Sequence, residues 1–346
     1  MNLDNIINKF CINGRVISCA PYGNGHINST FLVESDVKSR YILQKINKFV
    51  FKDPASLMQN IVMVTGHLKK TSEKQVLTVV PCTDGSMWHV DDDGEYWRMY
   101  DFVEDSVCKE TVDSPEIFRQ SGLAFGGFIN LMADFDANNL TETIAGFHDT
   151  PKRYRAFHEA LKKDVMGRAK LVQPEIEFAL AREDFAAILI NLQKNGDMPT
   201  RVTHNDSKLN NVLFCKDTLK AICVIDLDTV MPGLAVTDFG DSVRFGATTA
   251  VEDERDLNKV NFSLPLYQSY KQGFLEACDS LNQCETEHLP HGAKMMTLEC
   301  GLRFLTDYLE GDIYFKTHRD GHNLDRCRTQ FKLVKDMEEN WKGMTL

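Results

Sequence analysis

Between Val202 and Phe214 the chain reads VTHNDSKLNNVLF, two apolar ends around a middle that gathers His204, Asn205, Asp206, Ser207, Lys208, Asn210 and Asn211. His204, Asp206 and Asn211 satisfy H-x-D-x-x-x-x-N, and Lys208 adds D-x-K-x-x-N. Fifteen residues after Asn211, the apolar run CVID ends on Asp226, with Asp228 two residues on. This set of residue types suits phosphoryl transfer. One carboxylate takes the proton of an attacking hydroxyl, while an amide oxygen and a second carboxylate hold Mg2+ against nucleotide phosphates. The same residues would also suit a surface loop with an N-cap Asp and turn asparagines. The strand that follows and the texture of the whole chain favour the chemical reading.

Those side chains need a frame, and the frame changes character along the chain. Residues 14–105 carry short strand-like runs (RVISCAPYGNGHINSTFLV, RYILQKI, QVLTVVP, SMWHV, EYWRMYDFV) separated by Gly, Asp and Asn turns, with one helix predicted near 54–70. From Ser114 the pattern turns helical, with Ser114 as N-cap and Pro115 at the first helical position. Further helices are predicted at about 151–170, 174–195, 253–280, 290–310 and 323–342, interrupted by the strand-like RVTHND, NVLFC and AICVIDLD. The fold class is α+β: a β-rich lobe over 1–105 and a larger, mainly α-helical lobe over 106–346, joined near Val103–Ser106. Ligands favour such junctions.

Bulk properties narrow the partners. With 346 residues and 43% apolar content the chain supports a full core, and its net charge of -11 argues against nucleic acid or an anionic membrane as the main partner. No run approaches the length of a membrane span. The ten scattered cysteines form no C-x-x-C pair, and MNLDNIINKF has no secretory apolar run. Reduced thiols in a cytoplasmic protein are the expectation.

HNDSKLNN followed by VIDLDTVMPG resembles the catalytic and metal segments of the aminoglycoside phosphotransferase and choline kinase superfamily, which shares the protein-kinase fold. PYGNGHINSTF, YILQKIN, THNDSKLNNVLF, VIDLDTVMPG, DFGDSVRFGA and ECGLRFLTDYLEGDIYF together resemble bacterial N-acetylhexosamine 1-kinases, with further likeness in NLDRCRTQ. The resemblance implies a bilobal protein-kinase-like fold with a nucleotide-binding first lobe and a catalytic, substrate-binding second lobe. It implies an ATP- and Mg2+-dependent kinase acting on the anomeric hydroxyl of N-acetylglucosamine or N-acetylgalactosamine. By position, Asp206 matches the catalytic base and Asn211 and Asp226 the metal ligands. His204 then braces the loop, and Lys208 is a catalytic candidate directed at the phosphoryl group, with a solvated lysine as its alternative.

Other positions follow from the kinase pattern. Gly23, Gly25 and Asn28 stand where a phosphate-covering glycine loop belongs, although Asn28 replaces the third glycine. Gln44 occupies the strand position of the phosphate-pairing lysine, and Lys45 lies one step on, facing the other side unless a bulge turns it inward. The helix SLMQNIVMVTGHLKK offers no glutamate partner, so no lysine–glutamate pair is expected. Backbone at Asp101 and Val103 is the candidate for adenine recognition.

DFGD at Asp238–Asp241 imitates a kinase metal motif but does not end a buried strand. Asp238 or Asp241 is expected instead to accept backbone hydrogen bonds that fix the catalytic loop. For a sugar, Arg303 and Tyr314 are the candidates, against a plain reading of Arg303 and Asp307 as a surface ion pair at i,i+4. Trp341 is a weaker candidate, with a staple for the terminal helix as the alternative. A kinase of the same superfamily acting on an aminoglycoside, choline or homoserine is the nearest rival reading. A nucleotide-binding pseudokinase is the rival from another class, kept open by Gln44. Oligomeric state is not legible in the sequence.

Overall fold

The computed structural model describes residues 3–23, 25, 27–72 and 75–346. In chain order the elements are α1 (Leu3–Ile7), β1 (Val16–Pro21), β2 (Ser29–Ser35), β3 (Arg40–Lys45), α2 (Pro54–Thr71), β4 (His89–Val90), β5 (Tyr96–Asp101), β6 (Ser106–Cys108), α3 (Pro115–Leu131), α4 (Thr150–Lys163), α5 (Gln173–Leu180) and α6 (Ile188–Asn195). They continue with β7 (Arg201–Thr203), β8 (Val212–Cys215), β9 (Ala221–Val224), β10 (Met231–Gly233), α7 (Ala235–Gly246), α8 (Leu264–Ala277), α9 (Gln283–Glu287), α10 (Leu289–Glu310), α11 (His322–Glu339) and α12 (Trp341–Thr345). This is a kinase-like α+β fold, with a β-sheet amino-terminal region and a helical carboxy-terminal region.

The first compact unit comprises Met1–Cys108, Asp134–Ala145 and Val212–Pro232. Its main sheet is antiparallel in the order β1-β2-β3-β5-β4, and a second sheet runs β6-β8-β9. Alternation along the strands sends Val33, Leu43, Trp97 and Met99 into one core with Ile7 and Phe10 of the amino-terminal segment. Helix α2 starts as its sequence dictates, with the Asp53 side chain accepting from Ser56 N–H and Pro54 in the first turn. From its buried face Asn60 donates to the carbonyls of Thr141 and Val230 and accepts the Thr141 N–H. One buried amide thus fastens two late segments of chain to the early helix.

The second unit comprises Lys109–Ala133, Gly146–Asn211 and Gly233–Leu346. Helix α3 is capped by Ser114, as its sequence predicts. A core of Tyr154, Phe157, Leu298, Leu302, Leu305, Phe331 and Val334 joins α4, α10 and α11. Helices α7 and α10 cross closely where both lack a side chain. A Cβ on Gly240 would stand 2.2 Å from the Gly292 carbonyl oxygen, and one on Gly292 would stand 2.0 Å from that of Val236.

Several predicted helices break where local hydrogen bonding competes. The 253–280 helix begins only at Leu264, capped by Ser263. Before it, Glu254 and Asp256 accept from backbone N–H groups two residues ahead, the turn chemistry that such side chains prefer to helix. The 151–170 helix stops at Lys163, where Asp164 turns left-handed (φ 36°), and the 174–195 helix splits into α5 and α6. QVLTVVP forms no full strand, although Val80 N–H and Asp101 N–H bind it alongside β5.

Gly292→Ala is expected to cost about 3 kcal/mol by overpacking against backbone that has no room to yield. Gly127→Ala on α3, where the nearest atom to a new Cβ is 3.9 Å away, is expected to be neutral or to stabilise by up to about 1 kcal/mol. Thermal unfolding of the two variants measures the contrast.

Candidate active site

The loop at 204–211 is built around a buried carboxylate. Asp238, in the first turn of α7, accepts the backbone N–H of His204 at 2.6 Å and that of Asn205 at 2.7 Å through its two oxygens. The Asp238 carbonyl accepts from Ser207 Oγ, Ser242 Oγ donates to the Ser207 carbonyl, and the Tyr270 hydroxyl donates to Ser242 Oγ at 2.6 Å. DFGD therefore acts as the sequence reading has it, through Asp238. Asp241 instead holds Arg244 at 3.0 Å.

His204 is fully buried, edge-on to Phe125 and Phe128, and its Nδ1 accepts the Asp206 N–H. That environment suits a brace. Asn205 takes a left-handed φ of 62°, a conformation that asparagine tolerates better than most residues. Close behind it, a Cβ on Gly233 would stand 2.2 Å from Thr203 Oγ1 and 3.0 Å from Asn205 Oδ1, so the loop can lie there only against glycine.

The polar side chains of the loop then converge. Lys208 Nζ lies 3.0 Å from Asp206 Oδ1, while Asn211 Nδ2 donates to the Asp206 carbonyl at 2.7 Å and to Oδ2 at 3.2 Å. Burial works against the Lys208 charge, but Asp206 raises its pKa above the ordinary value. The amide oxygen of Asn211 is a hard oxygen of the kind that suits a cation. Asn210, by contrast, reaches outward to Glu110.

In the first unit, Asp226 follows β9 with a left-handed φ of 60°. No three His, Cys, Asp or Glu side chains among the described residues form a closed metal cage. A magnesium ion carried mostly by phosphates and water needs only one or two protein oxygens, so Asn211 and Asp226 are of the right chemistry.

The lysine position is resolved. Pairing of β3 with β2 and β5 runs without a register shift, so no bulge turns Lys45 inward, and Lys45 lies 3.8 Å from Glu95. Gln44 stands directly across from Arg98 of β5, whose Nε donates to Gln44 Oε1 at 2.9 Å. Gln44 Nε2 donates to Thr30 Oγ1. Arg98 is 1% exposed and ion-paired with Asp228, and Asn28 Nδ2 donates to the other Asp228 oxygen at 2.6 Å. Burial would depress the Arg98 pKa, but the Asp228 charge outweighs it and holds the guanidinium above its ordinary value.

Sequence reasoning missed Arg98, whose signal was one charged residue inside the apolar run YWRMY. Gly23 has a φ of +76° that glycine alone adopts freely; Asn24 and His26 of the same turn lie outside the described residues. At the hinge, the N–H groups of Asp101 and Phe102 are taken by the carbonyls of Thr78 and Arg40. Asp101 and Val103 also line a polar recess of about 260 Å³ with Lys69, Gln75 and Thr78.

Arg303 and Tyr314 come together, with the guanidinium 5.9 Å from the Tyr314 ring centroid and 5.3 Å from that of Phe315. The expected surface ion pair of Arg303 with Asp307 is replaced by something else. Asp307 is buried and accepts the N–H groups of Ile313, Tyr314 and Phe315 at 3.0, 2.8 and 3.0 Å, plus Asn323 Nδ2. It shapes the loop that presents Tyr314, which is 72% exposed. Trp341 packs edge-on against His291 of α10, about 18 Å along that helix from Arg303 at 1.5 Å per residue, and so acts as a staple.

Residues 18–272 match the Phosphotransferase enzyme family (APH). The chain belongs to that family. The phosphotransferase fold recurs in solved structures. A microcompartment-associated aminopropanol kinase matches at 15% identity and a TM-score of 0.62, over 99% of this chain and 98% of that one. An amicoumacin kinase solved in complex with AMP-PNP, Ca2+ and Ami matches at 11% and 0.64, over 98% and 92%. A choline kinase from Cryptosporidium parvum matches at 14% and 0.61, over 98% and 95%. At these identities the likeness is one of fold. Among the described residues of this phosphotransferase, no helix is long and apolar enough to cross a membrane.

Burial lifts the Asp238 pKa from the ordinary 3.8 to about 6, against the pull of His204 and of its two N–H donors. Between those values the folded chain holds a proton that the unfolded chain has released, so this group's contribution to stability shrinks as pH rises through 6. Its ionised form is nevertheless the one that accepts both loop N–H groups. Turnover is therefore expected to fall as pH drops below about 6 with no matching loss of stability from this group. Asp238→Asn should give turnover lower by about a hundredfold, the cost of a displaced catalytic group, without that titration. Activity and denaturation series over pH 5–8, taken on both proteins, check it.

Proposed function

We propose that this phosphotransferase uses ATP and Mg2+ to phosphorylate the anomeric hydroxyl of an N-acetylhexosamine, N-acetylglucosamine or N-acetylgalactosamine, giving the sugar 1-phosphate and ADP. The observation that carries the sugar reading is the pairing of Arg303 with Tyr314 on a loop shaped by Asp307. It offers a planar hydrogen-bonding group beside an exposed aromatic face, the combination that sugars use. The segment also carries the sequence likeness to N-acetylhexosamine 1-kinases. Nucleotide use is supported by the family and by the AMP-PNP bound in the amicoumacin kinase.

In this reading the first unit binds nucleotide, with the turn at Gly23, Gly25 and Asn28 over the phosphates, Gln44 beside them through Arg98, and backbone at Asp101 and Val103 toward the base. The second unit binds the sugar and carries the catalytic loop. Asp206 orients the anomeric hydroxyl and takes its proton as the oxygen bonds to the γ-phosphorus. The bond from that phosphorus to the β,γ-bridging oxygen breaks, and ADP leaves with the electron pair. An anomeric hydroxyl is more acidic than an ordinary alcohol, which eases the transfer of its proton to Asp206. Lys208, held at Asp206, supplies positive charge toward the transferring oxygens. Asn211 and Asp226 would hold Mg2+, which neutralises phosphate charge when bound.

Asp206→Asn and Asp226→Ala should each lower sugar phosphate formation by about 10³-fold or more in folded protein. Wild-type turnover in either variant would sink the residue assignment. The acceptor is tested by ADP release with ATP, Mg2+ and, separately, N-acetylglucosamine, N-acetylgalactosamine, glucose, galactose, choline, homoserine and kanamycin. The N-acetylhexosamines should respond; a response confined to choline, homoserine or kanamycin would overturn the sugar reading.

A further inference from the structure

The first unit lacks the lysine that other kinases place on this strand and pair with a helix glutamate. Its sheet nevertheless contains one buried cation. Arg98 lies directly across from Gln44, donates to it, touches Met58 sulfur of α2 at 4.0 Å, and ion-pairs with Asp228, itself 5% exposed. Asp228 accepts at its other oxygen from Asn28, whose Oδ1 accepts the Asn47 N–H at 3.0 Å. Five elements meet there: the residues after the glycine turn, β3, α2, β5, and the turn that carries Asp226 two residues before Asp228.

A fully buried ion pair is costly unless its remaining bonding capacity is met. Here Gln44 and Asn28 meet much of it, and Gln44 is in turn oriented by Thr30. The arrangement is therefore specific in geometry. A guanidinium can contact Gln44 and Asp228 at once through a planar fork, whereas an ammonium offers a single point charge. Asp226, left-handed at the start of the same turn, lies two residues before Asp228, and Val230 N–H closes that turn onto the Leu227 carbonyl.

We propose that Arg98 is the positioning residue of the nucleotide half-site: through Asp228 it locks the Asp226 turn to Asn28 and the glycine turn, the task that a lysine–glutamate pair performs in other kinases. Because Arg98 is buried, it acts through Asp228 and Asn28 and does not itself touch the phosphates. The proposal rests on the phosphotransferase reading of Asp226 as a metal ligand.

The test uses the full chain with Arg98→Lys and the paired replacement Arg98→Met/Asp228→Asn, which removes both charges so that neither is left buried alone. Calorimetry reads ADP affinity with Mg2+ and with EDTA. Amide exchange of the ligand-free protein reads the Val230 N–H, and kcat and KM for ATP are measured alongside. In the paired variant the affinity for Mg2+-ADP should fall at least tenfold, while metal-free ADP affinity stays within about threefold. Val230 should exchange at least tenfold faster, and Arg98→Lys should recover part of the metal-dependent loss.

Should the paired variant prove unfolded, Arg98→Lys decides alone, by a selective loss with Mg2+ or none. Equal affinities with Mg2+, or equal losses with and without it, overturn the proposal and leave the phosphotransferase reading standing. Failure of the wild-type protein to bind Mg2+-ADP overturns both.

Discussion

A loop of seven polar residues has no fixed shape of its own, and its shape here depends on the Asp238 carboxylate accepting two consecutive backbone N–H groups. Once His204 N–H and Asn205 N–H are bound, the direction of the following peptides is set. Asp206, Lys208 and Asn211 then meet with hydrogen-bonding distances among them. A carboxylate in that position is buried at a cost, and the structure offsets it with charge-assisted bonds stronger than neutral ones. The helix that carries Asp238 is in turn held close to α10 by the absence of side chains at Gly240 and Gly292. The polar loop therefore inherits its geometry from a helix crossing that lies outside it.

The same logic recurs at smaller scale. Asp307 accepts three successive N–H groups and an asparagine amide to shape the loop bearing Tyr314. Asp228, buried in the first unit, gathers Arg98 and Asn28 beside the turn of Asp226. Each is a carboxylate that touches no substrate in the proposed reaction, and each aims a neighbour that does. Buried polar groups that are fully satisfied specify one geometry, which catalysis by alignment requires.

The division between reader and frame also explains the missing lysine. A strand lysine can be replaced when another cation reaches the same neighbourhood from the adjacent strand, and β5 lies next to β3 with Arg98 opposite Gln44. Here the buried cation stands across from Gln44 on the neighbouring strand and, in the proposed reading, works through Asp228 rather than on the phosphates.

From sequence alone, the α+β texture, the Ser114 helix start and the bracing of the 204–211 loop by Asp238 were legible. These depend on local spacing, caps and apolar periodicity, which neighbours in the chain determine. Two things were decided only by tertiary structure, and one local preference was misread. Arg98 and Gln44 are 54 residues apart and Asn28 and Asp228 are 200 apart, so no local pattern announces either contact. Asp307 sits at the right interval for an ion pair with Arg303, and only the return of the 313–315 loop over it turned that carboxylate inward. The 253–280 segment had helical composition, yet its Glu254 and Asp256 side chains bound their own backbone instead. Local chemistry marked the polar loop and the helix starts; pairing between distant strands and helices selected the residues that hold the buried carboxylates in place.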